Sequence, residues 1–213
     1  MSNAEYARIG DPRSIDDGVV LLRRFALADA TKVLAAVAGV VARAPWRQMS
    51  TPGGRRMSVA ISNCGACGWV SDRCGYRYSD IDPLTSRPWP ALPRVIDSLA
   101  RAAAAAAGFA NFAPDACLIN RYEPGARMGL HQDRDERDWS QPIVSLSFGL
   151  PATFVLGGLQ RRGTPTRIVL QHGDALVFGG AARLRFHGVL PLAPGQHPAT
   201  GAARINLTLR RAR

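Results

Sequence analysis

The order of apolar and polar positions divides the chain into a helical part followed by a part rich in strands. Residues 29–44 place apolar side chains at helical spacing and stop before Pro45, which predicts a first helix. Residues 94–107 predict a second helix, because the alanine run after Arg101 has the highest intrinsic helix propensity and Gly108 suits its end.

From residue 115 onward, short apolar runs alternate with turns containing Gly, Pro or Asp. The predicted strands are 117–122, 143–148, 153–156, 167–170, 175–178, 184–189 and 204–210. No helices alternate with these strands, which disfavours a doubly wound parallel sheet. The pattern predicts a jelly-roll or β-sandwich with the two helices packed on one sheet.

Residues 45–93 are rich in Gly, Pro, Trp, Tyr and Arg, with short strand-like pieces at 57–62 and 75–79. This segment is too aromatic for a linker and predicts a binding surface carried on hairpins and loops. Residues 1–15 are interpreted as a flexible leader, so a single domain is expected over 16–213.

Targeting and membrane signals are missing from the sequence. It contains no run of eighteen apolar residues, so no membrane partner is expected. Its start has no secretory or organelle-import pattern, so a cytoplasmic location is expected. We expect a monomer.

The chain has a formal net charge of +11 and a pI near 10.8, and Lys32 is its only lysine. Such an excess of positive charge favours a polyanionic partner, most simply nucleic acid. The bias toward arginine is also compatible with a coding genome that favours arginine codons, so charge leaves both explanations open.

Cys64 and Cys67 form a C-x-x-C pair with Cys74 close behind, which raises the question of a structural zinc site. No second C-x-x-C or H-x-x-x-H pair completes a set of four ligands. We therefore expect these residues and Cys117 to be reduced thiols, packed as small apolar side chains.

His131 and Asp133 are separated by one residue, so on an extended strand their side chains would share a face. His187 is the best third ligand, because it ends a strand-like run, whereas His172 and His197 lie in turn or loop sequences. Two histidines and one carboxylate leave open positions on an octahedral metal, as in non-haem iron oxygenases. The alternative is a charged surface loop without a metal.

The final predicted strand, RINLTLR at 204–210, alternates polar and apolar residues. Its polar face carries Arg204, Asn206, Thr208 and Arg210. The two guanidinium groups at its ends suit the two carboxylates of a small dicarboxylate. The alternative is an edge strand whose polar face lies in water.

Together, the H-x-D pair, the downstream histidine and RINLTLR resemble the AlkB family of nucleic-acid repair dioxygenases. The resemblance covers about residues 19–210 and includes the segments MSVAISNCG, GWVSDRCGYRYS, DPLTSRPWPALP, PDACLINRYEPGA, LHQDRDE and PIVSLSFGLPA. It implies an α+β, mainly β fold: a double-stranded β-helix (a jelly-roll) with N-terminal helices. A nucleotide-recognition lid is expected over 45–93 and the catalytic core over 115–213.

The resemblance also implies cofactors and the residues that hold them. His131, Asp133 and His187 would be the catalytic ligands of Fe(II). The co-substrates would be 2-oxoglutarate and O₂. The residues expected to bind 2-oxoglutarate are Leu118, Asn120, Arg121, Tyr122, Arg204, Asn206, Thr208 and Arg210.

The activity implied is oxidative demethylation of 1-methyladenine and 3-methylcytosine, with decarboxylation of 2-oxoglutarate and release of formaldehyde. Single-stranded DNA would be preferred, with duplex DNA and RNA as further partners. The residues expected to contact this substrate are Trp69, Tyr76, Arg77, Tyr78, Arg127, Arg134, Asp135 and Arg161. Two alternatives stay open: the same chemistry on a protein side chain or small molecule, and a nucleic-acid-binding module without catalysis.

Overall fold

The computed structural model describes residues 12–213, so the first eleven residues of the predicted leader lie outside the described residues. The helices are α1 (Ala30–Val41) and α2 (Arg94–Ala106), with a short 3₁₀ turn at Gly180–Ala182. The first strands are β1 (Pro12–Asp16), β2 (Val19–Leu22), β3 (Ala60–Gly65), β4 (Gly68–Asp72), β5 (Gly75–Ser79), β6 (Ile81–Asp82) and β7 (Arg87–Pro88). The others are β8 (Ala116–Tyr122), β9 (Met128–His131), β10 (Ile143–Gly149), β11 (Ala152–Leu156), β12 (Thr166–Leu170), β13 (Ala175–Phe178), β14 (His187–Val189) and β15 (Arg204–Arg210).

Two antiparallel sheets form the core. The larger sheet has seven strands in the order β1-β2-β13-β10-β15-β8-β3, and the smaller has four in the order β12-β11-β14-β9. One apolar cluster joins residues of both sheets, including Leu118 of β8 and Phe154 of β11. The predicted jelly-roll with helices on one sheet is confirmed. Two small hairpins, β4–β5 and β6–β7, come from the segment between the helices.

Strand β15 lies between β10 and β8, and both of its faces are buried. Ile205, Leu207 and Leu209 belong to the apolar cluster that includes Val33 of α1 and Ile96 of α2. The polar face points the other way, into the space between the two sheets. The alternative of an edge strand with its polar face in water is therefore wrong.

Several elements differ from the sequence-based prediction. Residues 12–15, expected in the flexible leader, belong to β1, which pairs with β2 through backbone bonds that need no apolar pattern. Strand β9 was not predicted, because Gly129 lowers the strand propensity of this short run. The strand predicted at 184–189 begins only at His187, because a backbone hydrogen bond from Arg185 to Ala182 continues the preceding turn.

The cysteines are all free thiols. Cys64, Cys67 and Cys117 are buried, which confirms their expected packing as small apolar side chains, whereas Cys74 is exposed. Neither α1 nor α2, the two α-helices of residues 12–213, is long and apolar enough to cross a membrane.

Candidate active site

The three predicted metal ligands meet where two strands of the smaller sheet pair. His131 ends β9 and is the direct register partner of His187, the first residue of β14. Asp133 follows two residues after the end of β9. One ligand atom from each lies within 4.8 Å of the others, and no other such group of His, Cys, Asp or Glu occurs in the described part of the chain.

Backbone carbonyl groups orient both imidazole rings. Nδ1 of His131 lies 2.8 Å from the carbonyl oxygen of Gly129, and Nδ1 of His187 lies 3.0 Å from that of Arg185. Each Nδ1 therefore carries the hydrogen, which leaves each Nε2 with its lone pair toward Asp133 at 3.5 and 3.7 Å. Two such nitrogens and one carboxylate fit a ferrous ion with open coordination positions.

The electrostatics favour the metal-binding state of Asp133 and His187, whereas the pKa of His131 is raised, because the Asp133 carboxylate outweighs the effect of burial. Burial alone would raise the pKa of the Asp133 carboxyl, but the Arg210 guanidinium and the two histidines hold that pKa well below its ordinary value. Burial lowers the pKa of His187, although Asp133 opposes that shift. An ionised carboxylate and a neutral imidazole are the forms that bind a divalent cation.

A narrow cavity between the sheets adjoins the metal ligands; we call it the cofactor cavity. Seven of the eight residues expected to bind 2-oxoglutarate line it: Leu118, Asn120, Tyr122, Arg204, Asn206, Thr208 and Arg210. They come from the inward faces of β8 and β15, which are neighbours in the larger sheet. Alternation along two adjacent strands therefore concentrates these polar side chains on one surface.

Arg204 is the clearest sign that this cavity accepts an anion. Its side chain is 1% exposed, and across residues 12–213 neither Nε nor Nη1 has a hydrogen-bond partner. Nη2 donates to Ser147 Oγ at 3.0 Å, and the guanidinium lies 5.1 Å from the centre of the Tyr122 ring. A buried guanidinium without a carboxylate is costly unless a ligand supplies one. The cavity thus fits a carboxylate of 2-oxoglutarate.

Two expectations about this cavity need correction. Arg210 is not a second free guanidinium, because it forms ion pairs with Asp133 at 2.7 Å and with Glu136 at 3.3 Å. Arg121 does not line the cofactor cavity, because alternation turns it to the opposite face of β8 from Asn120 and Tyr122. It instead pairs with Glu123 at 3.0 Å.

Sequence reasoning missed a buried polar network around Glu136. Tyr78 donates its hydroxyl hydrogen to Glu136 at 2.6 Å, and Arg183 donates to the other carboxylate oxygen at 3.1 Å. Arg183 also donates to the backbone carbonyl of Asp133 at 2.9 Å. The β4–β5 hairpin is thereby linked to Arg210 and the metal-binding carboxylate. Glu136 lies in the charged run HQDRDERD, where the sequence does not reveal which residue is buried.

A second, open cavity of about 630 Å³ adjoins the first and shares His131, Leu118, Met128 and Arg210 with it. We call it the base cavity. Trp69 donates from Nε1 to Asp135 at 2.8 Å and stacks on Tyr76 with ring centres 5.6 Å apart. The predicted substrate residues that line it are Trp69, Tyr76, Arg134, Asp135 and Arg161.

The other predicted substrate residues lie elsewhere. Arg77 points to solvent and pairs with Asp72 at 2.7 Å. Tyr78 is turned toward Glu136, and burial raises the pKa of its hydroxyl well above the ordinary value. Arg127 is exposed and does not line the base cavity, and hydrogen bonds join its backbone to the Ser58 hydroxyl.

The fold and the site together define a class of protein. Residues 18–210 match the 2OG-Fe(II) oxygenase superfamily, and the chain belongs to that superfamily. It is an Fe(II)- and 2-oxoglutarate-dependent dioxygenase, and O₂ is its other co-substrate.

Within that superfamily, the chain belongs to the AlkB family. It is 56% identical over 195 residues to the alpha-ketoglutarate-dependent dioxygenase AlkB of Salmonella typhimurium, covering 92% of this chain and 90% of the relative. It is 53% identical over the same coverage to the enzyme of that name from Escherichia coli. The structure of OsALKBH1 superposes with a TM-score of 0.82 at 27% identity, covering 94% of this chain and 99% of that one.

Proposed function

We propose that this dioxygenase removes N-methyl groups from 1-methyladenine and 3-methylcytosine in DNA, prefers single strands, and also acts on RNA. The observation that carries the proposal is the open base cavity, which has an aromatic wall and basic rim and adjoins the metal ligands at His131. Among the relatives, human ALKBH1 is a nucleic acid dioxygenase, 37% identical over 59% of this chain.

In the proposed substrate complex, Trp69 and His131 form the two walls around a flipped base. Both lesions are cationic, so the face of Trp69 attracts them beyond ordinary stacking. The Asp135 carboxylate, fixed by Trp69 Nε1, adds a negative charge at the cavity edge. These contacts favour a methylated base over its neutral, unmethylated form.

The cofactor cavity holds the other reactants. His131, Asp133 and His187 would bind Fe(II). Together with 2-oxoglutarate and O₂, the bound iron would supply the oxidising chemistry that hydroxylates the methyl group. Arg204 would bind the carboxylate of 2-oxoglutarate that lies away from the metal, because its guanidinium is buried and unpaired within residues 12–213. Phe154 stacks on His187 and helps to exclude water. The hydroxymethyl group formed on the base nitrogen then leaves as formaldehyde.

A preference for single strands follows from the energy of base flipping. Turning a base out of the stack costs a few kcal/mol, and the cost is smallest in a single strand, because no base pair has to be broken there.

The free thiols support a reducing compartment such as the cytoplasm. Only six large apolar side chains of residues 12–213 are exposed, namely Tyr76, Ile81, Leu84, Trp139, Leu159 and Val169, which supports a monomer.

Mass spectrometry of a single-stranded oligonucleotide that carries one 1-methyladenine tests the proposal. The complete reaction with Fe(II), 2-oxoglutarate and O₂ should remove the mass of one methyl group, and omission of any one of them should prevent this. An unchanged oligonucleotide in the complete reaction would overturn the proposal. If a free methylated nucleoside lost its methyl group and the oligonucleotide did not, the small-molecule alternative would be supported instead.

A further inference from the structure

A third cavity lies behind one wall of the base cavity. It measures about 280 Å³, and its charged lining residues are Arg47, Arg56, Arg121 and one acidic residue, Glu123. We call it the arginine cleft. None of the iron ligands and none of the residues of the cofactor cavity lines it.

A single segment separates the arginine cleft from the base cavity. Met57 lines the base cavity, whereas its two neighbours, Arg56 and Ser58, line the arginine cleft. A bridge between Ser50 and Arg56 fixes the segment, and hydrogen bonds join Ser58 to Arg127.

The charges of the cleft favour an anionic ligand. Arg47 is held by a two-point ion pair with the buried carboxylate of Asp82, so it contributes a fixed group. Arg121 pairs with Glu123, but both side chains are partly exposed, at 40% and 65%, and such a pair is weak and easily exchanged. Arg56 is exposed, and no ion pair within residues 12–213 involves it. Arg56 and Arg121 are thus available to a ligand.

We propose that the arginine cleft binds a phosphodiester group of the strand whose methylated base occupies the base cavity. This inference rests on the proposed function, which places that strand at the base cavity. Arginine matches phosphate because its planar fork donates two parallel hydrogen bonds. Only one segment separates the cavities, so a strand passing over it reaches the cleft close to the flipped base. Arg56 is the principal donor, and Arg121 exchanges Glu123 for the phosphate.

The test compares Arg56→Gln and Arg121→Gln with Arg94→Gln, a matched control at an exposed position on α2, which packs on the outer face of the larger sheet. Fluorescence anisotropy measures the binding of labelled single strands of about twelve nucleotides that carry the lesion, a length typical of single-strand sites, and competition with that strand measures the binding of the methylated nucleoside. For the strand, we expect Arg56→Gln to weaken binding about three- to tenfold and to reduce the salt slope by about one. The Arg121→Gln variant should show a smaller loss, and Arg94→Gln none.

The methylated nucleoside distinguishes the cleft from the base cavity, because it has no phosphodiester group, so all variants should bind it as tightly as the unsubstituted protein. Two results would overturn the inference: Arg56→Gln binding the strand as tightly as Arg94→Gln does, or equal losses for the strand and the nucleoside. A failure of the proposed function would show differently, as retained binding without methyl removal by any variant, including the unsubstituted protein.

Discussion

The cofactor cavity and the base cavity adjoin, yet they are built differently. The cofactor cavity lies between two sheets, and its polar residues stand on regular strands with nearly all of their surface buried. The base cavity is formed largely by hairpins and loops, and Tyr76 and Asp135 on its rim are exposed. The cofactor cavity, at about 50 Å³, leaves little room for water beside the reacting groups, whereas the base cavity, at about 630 Å³, has room for a nucleotide base. The difference indicates a division of tasks, oxidation in one and selection in the other, which the following predictions test.

The largest effect is expected at the three metal ligands. Replacing His187 with Ala removes a metal ligand, so methyl removal should fall by about a thousandfold or more, because loss of a partner outside the ligand set already costs 10–100-fold. Anaerobic titration with Fe(II) should show lost metal affinity with an unchanged circular dichroism spectrum. His172→Ala, outside the site, is the control, and an active, metal-binding His187→Ala would remove this residue from the ligand set.

Arg204→Met should act on the cofactor cavity alone. A charge-assisted hydrogen bond contributes about 1.5–3 kcal/mol, so the KM for 2-oxoglutarate should rise roughly 10- to 100-fold. Oligonucleotide affinity should stay the same, because Arg204 does not line the base cavity. Steady-state kinetics with 2-oxoglutarate varied checks the first part and anisotropy the second. An unchanged KM would contradict the assignment of the unpaired guanidinium to the co-substrate.

Trp69→Ala should affect the base cavity and leave the cofactor cavity unchanged. Stacking of a base on an aromatic ring contributes about 1–3 kcal/mol, so affinity for the methylated strand should fall roughly 5- to 100-fold. The affinity for 2-oxoglutarate, measured by calorimetry with Mn(II) in place of Fe(II), should not change. Trp139→Ala is the control, because this tryptophan is exposed and lines neither cavity. Equal losses in both affinities would show that the cavities are not independent.

Tyr78→Phe should have the smallest effect. It removes the hydroxyl that donates to Glu136 but keeps the ring, so the free energy of unfolding should fall by about 0.5–1.5 kcal/mol. Arg77→Gln, which breaks only the exposed pair with Asp72, should cost less than about 1 kcal/mol. Urea unfolding of both variants checks the order. A larger loss of unfolding free energy in Arg77→Gln than in Tyr78→Phe would contradict the importance given to the buried network.

The sequence predicted the cofactor cavity well because alternation on a strand has a fixed period. Arg204, Asn206 and Thr208 share a face whatever the rest of the fold does. That rule also explains why Arg121 lies elsewhere, since it is out of phase with Asn120. The pairing of Arg210 with Asp133 was not predictable, because it depends on the packing of a loop against a strand.

The base cavity was less predictable from the sequence, because hairpins and loops have no such period. Trp69 and Asp135 were expected there only through the family resemblance, and their hydrogen bond joins residues far apart in the chain. Tyr78 shares a face of β5 with Tyr76, but it is buried against Glu136. Whether a side chain contacts a ligand or its own protein is decided by tertiary packing.

The most direct test of the division of tasks measures succinate and demethylated oligonucleotide in the same reaction. In the unsubstituted protein, the two products should form in a ratio close to one, because each oxidation consumes one 2-oxoglutarate and removes one methyl group. In Trp69→Ala, methyl removal should fall more than succinate formation, so the ratio should rise well above one. An unchanged ratio in that variant, with both products falling together, would contradict the separation of oxidation from base selection.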